Sequence, residues 1–185
     1  MYLSIYGMSF LKTIFYLAAF SCLWYAGKRL AQKYAPQIHS WRWLAVLGLV
    51  LWAYCVLKYT LFSRETSAQT AIWMPFQQLW RFRQSGDPEI LRMLWMNILL
   101  FVPLGIFLPE LFSTQRRTRS KVVLTVGFAM LLSLGIELAQ WHWQLGQAET
   151  DDVIANTLGA LLGCGIFVLG NRIISRKKAH NVFDK

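Results

Sequence analysis

The chain has 185 residues, 56% of them hydrophobic and 15% aromatic, with a mean hydropathy of +0.38. That is too apolar for a soluble domain that must cover its core with polar surface. The net charge is +10, but the basic residues fall between apolar runs and build no interleaved basic and aromatic face, which argues against nucleic acid as the partner.

The pattern predicts an all-α polytopic membrane helix bundle, one domain over 1–185, with spanning helices at about 10–26, 44–62, 93–111, 122–140 and 153–169. Each run is near the ~17–25 residues that a hydrocarbon layer of ~30 Å demands. The first run has no basic residue before it and no small-x-small cleavage pattern after it, so it is expected to stay as a helix. Cys22, Cys55 and Cys164 lie inside these runs without CxxC spacing. They read as packing residues, and neither a disulfide framework, a metal site nor a cofactor is expected. Most of the Lys and Arg fall in three alternate segments: Lys28, Arg29, Lys33 and Arg42; Arg116, Arg117, Arg119 and Lys121; and the tail from Arg172. By the positive-inside rule the N-terminus is then outside and the C-terminus cytoplasmic.

Between the second and third spans, "AIWMPFQQLWRFRQ" places Ile72, Phe76, Leu79 and Trp80 at i, i+4, i+7 and i+8. This predicts an interfacial or re-entrant helix at about 71–83, with Arg81 and Arg83 available to phosphate head groups and Trp73 and Trp80 as interface anchors. The third span carries Pro103 in its middle, which removes a backbone donor and needs compensation from neighbouring helices. In the fifth, Ala155, Gly159 and Gly163 recur every four residues as a ridge for close helix contact.

With this topology the polar residues gather at one depth. Lys58 and Arg64 lie at the outer end of the second span, Asn97 about one turn into the third, Glu137 and Gln140 at the outer end of the fourth, and Asp152 and Asn156 at the start of the fifth. A carboxylate facing hydrocarbon costs ~2.5–3.5 kcal/mol on insertion scales, so Glu137 must face the bundle interior or water. Arg64 and Lys58 are the candidate partners for Glu137 and Asp152. Asp151 or Asp152 also has a plainer role as a helix cap, and Asn97 and Asn156 as interhelical hydrogen-bonding groups. His142 with Glu149 and Asp152 matches no metal-ligand spacing.

The pieces "TLFSR" at 60–64, "NILLFVPLGIFLP" at 97–109, "IELAQ" at 136–140 and "DDVIANTLGALLG" at 151–163 resemble the VanZ-like membrane family, named for an accessory protein of teicoplanin resistance. The resemblance implies a small helical protein of the bacterial cell envelope, in the inner (cytoplasmic) membrane. It also implies characteristic polar positions at Arg64, Asn97, Glu137, Gln140, Asp152 and Asn156. Relatives often carry an arginine before the aspartates, where this chain has Gly146 and Gln147.

Three functions are open at this level. The first is an outward-facing polar pocket that binds a lipid-linked cell-wall precursor, an anionic lipid head group or a lipoglycopeptide, through Arg64, Arg81, Arg83 and the carboxylates and amides named above. The second is an enzyme in which Glu137 and Asp152 act as acid and base on a lipid-linked substrate. The third is proton-coupled transport of lipid or solute through an intramembrane acid. Membrane lipids are the expected partners in every case, and the sequence assigns no oligomeric state.

Overall fold

The computed structural model describes positions 12, 13, 16, 19–21, 23, 24 and 26–28, then 41–62 and 70–183, with side chains as far as 172. Helix α1, Trp41–Leu57, continues into a π-helical turn, Lys58–Phe62. Strand β1 is Thr70–Ile72, α2 is Gln77–Ser85, α3 is Pro88–Leu111, α4 is Thr118–His142, β2 is Gln147–Glu149 and α5 is Thr150–Phe183. Among the described residues, four helical stretches are long and apolar enough to cross a membrane: Arg42–Phe62, Pro88–Leu111, Thr118–His142 and Thr150–Arg172. The expected first span, 10–26, lies partly outside the described residues. Its described positions are helical, and Thr13 Oγ1 lies 2.7 Å from the Tyr59 hydroxyl.

Helix α3 starts five residues before the apolar run does, because "DPE" is a complete start signal. The Asp87 side chain caps the helix by accepting from the Glu89 N–H at 3.0 Å, and Pro88 occupies the first turn, where no N–H is needed. Further along, Pro103 is embedded in the helix, and the Trp52 indole of α1 donates to the Leu100 carbonyl three residues earlier at 2.7 Å. The carbonyl that loses its donor at Pro103 is that of Leu99, so this bond falls one residue beyond the break and ties α1 to the disturbed turn. Trp52 also packs edge-on against Phe101, ring centroids 5.5 Å apart, in a core with Cys55, Val56, Leu104, Ala129, Ile136 and Ala160.

The closest helix pair is α3 with α5. A Cβ added at Gly159 would lie 2.0 Å from the Ile98 carbonyl oxygen, and one at Gly163 would lie 2.1 Å from that of Val102. Both distances are shorter than van der Waals contact allows, so glycine is what lets the two backbones meet. The small-residue ridge read from the sequence therefore makes this contact, the arrangement expected where lipid supplies no hydrophobic drive between helices.

Helix α4 has the reverse of a soluble helix's polarity. It buries Thr125, Ala129, Ser133, Ile136, Glu137 and Gln140 along one stripe and exposes Val123, Leu124, Phe128, Leu131 and Leu138. Small and polar groups face the bundle, and large apolar ones face outward into what is, for a membrane helix, hydrocarbon.

Two local features depart from the expected pattern. The segment expected to be helical over 71–83 begins instead as β1, which pairs in parallel with β2, Ala71 opposite Ala148 and Ile72 opposite Glu149. The helix itself is displaced to Gln77–Ser85, entered through Phe76 at φ 62° and closed by Gly86 at φ 67°. Three-residue strands drawn from distant segments of the chain show no period-2 run, so local pattern does not reveal them.

Candidate functional site

The polar residues of α4 and α5 meet α2 in a closed ring. Gln78 is its hub, with Nε2 donating to Glu149 Oε2 and, at 3.1 Å, to Asp152 Oδ1. The Glu149 backbone N–H donates to Glu137 Oε2 at 2.9 Å. Four residues before Glu137 on the same face of α4, Ser133 Oγ accepts from Asn156 Nδ2 at 2.8 Å, and Asn156 lies one turn beyond Asp152 on α5. Hydrogen bonds thus join Asp152, Gln78, Glu149 and Glu137, and separately Asn156 and Ser133, while helix spacing alone brings Ser133 beside Glu137 and Asn156 beside Asp152 to complete the ring. Apart from Glu149, every member is less than a tenth exposed.

Local structure explains how these groups arrive. The π-helical turn at the end of α1 presents the Thr60 carbonyl to Gln140 Nε2 at 2.9 Å, while the Thr60 hydroxyl bonds back to Val56 O at 2.7 Å. Such wide turns redirect backbone groups that an α-helix would keep for itself. After α4, Gln144 at φ 57° and Gly146 at φ 119° turn the chain into β2. Gly146 holds a conformation that side-chain-bearing residues rarely adopt. Strand pairing with β1 then fixes Glu149 beside Gln78.

Asp151 does not cap its own helix. Its carboxylate accepts from the backbone N–H of Phe76 and, at 2.7 Å, of Gln78, so it supplies from α5 the N-terminal cap that α2 lacks. Hydrogen bonds to a charged acceptor contribute about 1.5–3 kcal/mol each, which makes Asp151 the main fastener of this short helix.

The other expected site residues are placed less uniformly. Glu137, Gln140, Asp152 and Asn156 converge as the sequence suggested. Asn97 is half-buried on α3 and makes no hydrogen bond among the described residues. Arg81 approaches Glu149 at 4.0 Å with its side chain 42% exposed, a loose pair, and Arg83 is exposed. Lys58 is exposed over the Tyr59 ring, 5.6 Å from its centroid, which removes it as a partner for the buried acids. Arg64 lies outside the described residues. Gln78, Ser133 and the cross-helix role of Asp151 were not evident from sequence. Only the "DD" pair gave a signal, and capping of its own helix was the simpler explanation.

Beside the ring lies an apolar slot of about 240 Å³ between the start of α2 (Phe76, Leu79), α3 (Leu91, Leu94, Trp95, Ile98) and α5 (Ile154, Ala155, Leu158). Asp151 is the one charged residue among its walls, but the slot presents only apolar surface, because the Asp151 carboxylate is taken by the Phe76 and Gln78 amides. Pockets that enclose drug-sized ligands run to ~300–1,000 Å³, so this slot has room for a chain segment and not for a whole glycopeptide. Among the described residues no group of three or more His, Cys, Asp or Glu is arranged to hold a metal ion.

Residues 44–171 match the family model described as VanZ/LLP1. The chain is similar to Protein VanZ of Enterococcus faecium, 28% identical over 145 residues that cover 76% of this chain and 81% of that protein. No solved structure matches it.

Proposed function

This chain belongs to the VanZ/LLP1 family, whose name links it to teicoplanin resistance, and from that membership together with the geometry we propose that it binds a membrane amphiphile at the junction of ring and slot. The observation that carries the reading is the apolar slot itself, walled by α2, α3 and α5 and bordering Asp151, whose carboxylate is turned to the Phe76 and Gln78 amides. The hydrocarbon part of an amphiphile fits such a slot, and the buried polar cluster begins at the next residue, Asp152.

The charge distribution supports an orientation in which ring and slot lie toward the extracytoplasmic leaflet of the bacterial inner membrane. Helix α2 would then rest at the interface, with its exposed Trp80 and nearby Trp73 among head groups. The candidate ligands are a lipid-linked envelope precursor, a membrane lipid, or the acyl chain of a lipoglycopeptide, whose bulk would remain outside the slot. Glu137, Asp152, Gln140 and Asn156 would face the polar part, and Arg81 and Arg83 would lie near its periphery.

The test is thermal unfolding of the purified full chain in detergent with added bacterial lipid extract. The expected result is a lipid-dependent rise of several degrees that Ile154→Trp, which fills the slot, removes. An unchanged midpoint in the wild-type protein, or an equal rise in the variant, would refute the reading.

A further inference from the structure

The first turn of α2 lies between the slot and the ring and belongs to both. Phe76 and Leu79 form a wall of the slot, while the Gln78 side chain bonds Glu149 and Asp152. None of Glu137, Gln140, Asp152 and Asn156 is a wall of the slot, and all four are buried. As arranged, the slot offers hydrocarbon contact alone, and the polar groups lie behind Gln78.

The walls of the slot are held in different ways. Helices α3 and α5 are locked backbone to backbone through Gly159 and Gly163, and both contribute to the main hydrophobic core. Helix α2 has no such support. Of its nine residues only Gln78 is buried, and it adds nothing to either hydrophobic core among the described residues. Phe76, Leu79 and Trp80 remain exposed. Polar bonds hold the helix instead: the Asp151 carboxylate on the Phe76 and Gln78 amides, and the Gln78 side chain on Glu149 and Asp152. Segments with few buried apolar contacts are the ones that open locally while the rest of a fold stays intact. Both ends of α2 also suit a moving element. Phe76 is a bulky residue in left-handed backbone, a strained state that the Asp151 bond to its own N–H helps to hold. At the other end Gly86 takes the same backbone region without strain, in open space.

We propose that α2 is a lid on the amphiphile site, pivoting at Gly86, with the Asp151 carboxylate as its latch. Opening withdraws Phe76 and Leu79 from the slot and Gln78 from the ring in one movement, so a hydrocarbon chain and the polar group attached to it meet a continuous site. Asp151 is a positioning residue in this scheme and acts on the ligand through α2. The inference rests on the amphiphile reading above and adds how the site is entered.

The test measures opening first and ligand exchange second, on the full chain in detergent. Ser133→Cys places a thiol in the buried ring, and its labelling by a small, charged methanethiosulfonate reagent is followed over time. The chain with Ser133 intact gives the background from Cys22, Cys55 and Cys164. Asp151→Asn replaces a charged acceptor by a neutral one, and the ring thiol should then label at least about ten-fold faster while the background stays the same. Lipid retained by the same proteins should exchange faster, by a similar factor, for lipid from a deuterated bacterial extract. The amount bound should not change, because a latch that is weaker for entry is equally weaker for exit. Gly86→Ala strains the closed pivot and should move both rates in the same direction, which keeps the test decisive if Asp151→Asn does not fold. An unchanged labelling rate, a rise shared by the background thiols, or faster opening without faster lipid exchange would each overturn the lid and leave the amphiphile reading standing. If the wild-type chain retains no lipid, both fall.

Discussion

At one end of the bundle the Lys28 ammonium is buried against the Glu110 carboxylate, reaches Asn171 Oδ1 at 3.5 Å and lies over the Trp24 ring. At the other end Glu137, Glu149, Asp151 and Asp152 gather around amide donors and leave three amide oxygens unmet. The first arrangement joins opposite charges from separate helices, packed beside Trp24, Phe107 and Ile106. It has the character of a fastening between the start of the chain, α3 and α5. The second buries three amide oxygens without a hydrogen bond, at a place where removing water from them is costly. Burial of charge is common to both ends, so burial alone does not identify a site; the unmet amide oxygens tell them apart.

Lys28→Met should sharpen that contrast most. Leaving a buried carboxylate without its partner costs about 3–5 kcal/mol, with the lower end expected here because the Glu110 side chain is 17% exposed. The loss should appear in denaturant unfolding, be largely restored in Lys28→Met/Glu110→Leu, and leave the lipid-dependent shift intact. A Lys28 variant that lost lipid binding while remaining folded would erase the distinction between the ends.

Asp151→Ala should have a more local effect, its cost to the whole chain limited to what the docking of α2 contributes. It removes the acceptor for two backbone amides, about 1.5–3 kcal/mol for each bond to a charged group, and releases α2. Amide exchange at residues 76–80 should accelerate while α3 and α5 keep their protection. Equal acceleration throughout the bundle would mean that Asp151 supports the whole fold and not only the helix it caps.

The smallest effect is expected from Asn156→Leu/Ser133→Ala. Replacing both partners of a buried hydrogen bond by apolar groups of similar shape is nearly neutral, so the unfolding free energy should change by about 1 kcal/mol or less. A loss as large as that of Lys28→Met would make this pair a fastening like the one at the opposite end.

The legible part of the architecture follows from the periodicities involved. Apolar runs of spanning length, the glycine ridge of α5 and the polar face shared by Glu137 and Gln140 are all local patterns, and a helix turns local spacing directly into shared direction. The β1 and β2 pair, the π-helical turn that offers Thr60 O, and the capping of α2 by Asp151 each join residues about 75 positions apart or depend on a single widened turn. No local window contains them. The same limit applies to Gln78, an ordinary glutamine on a short amphipathic helix, which becomes the hub of the ring only because strand pairing sets Glu149 beside it.

The most direct measurement is mass spectrometry of gently extracted wild-type protein and of Ile154→Trp after the same graded delipidation. The account predicts that a defined amphiphile stays with the wild-type chain after bulk lipid is removed and is lost from the slot-filled variant, while both retain the same helix content. Equal retention by the two proteins, or none by the wild type, would contradict it.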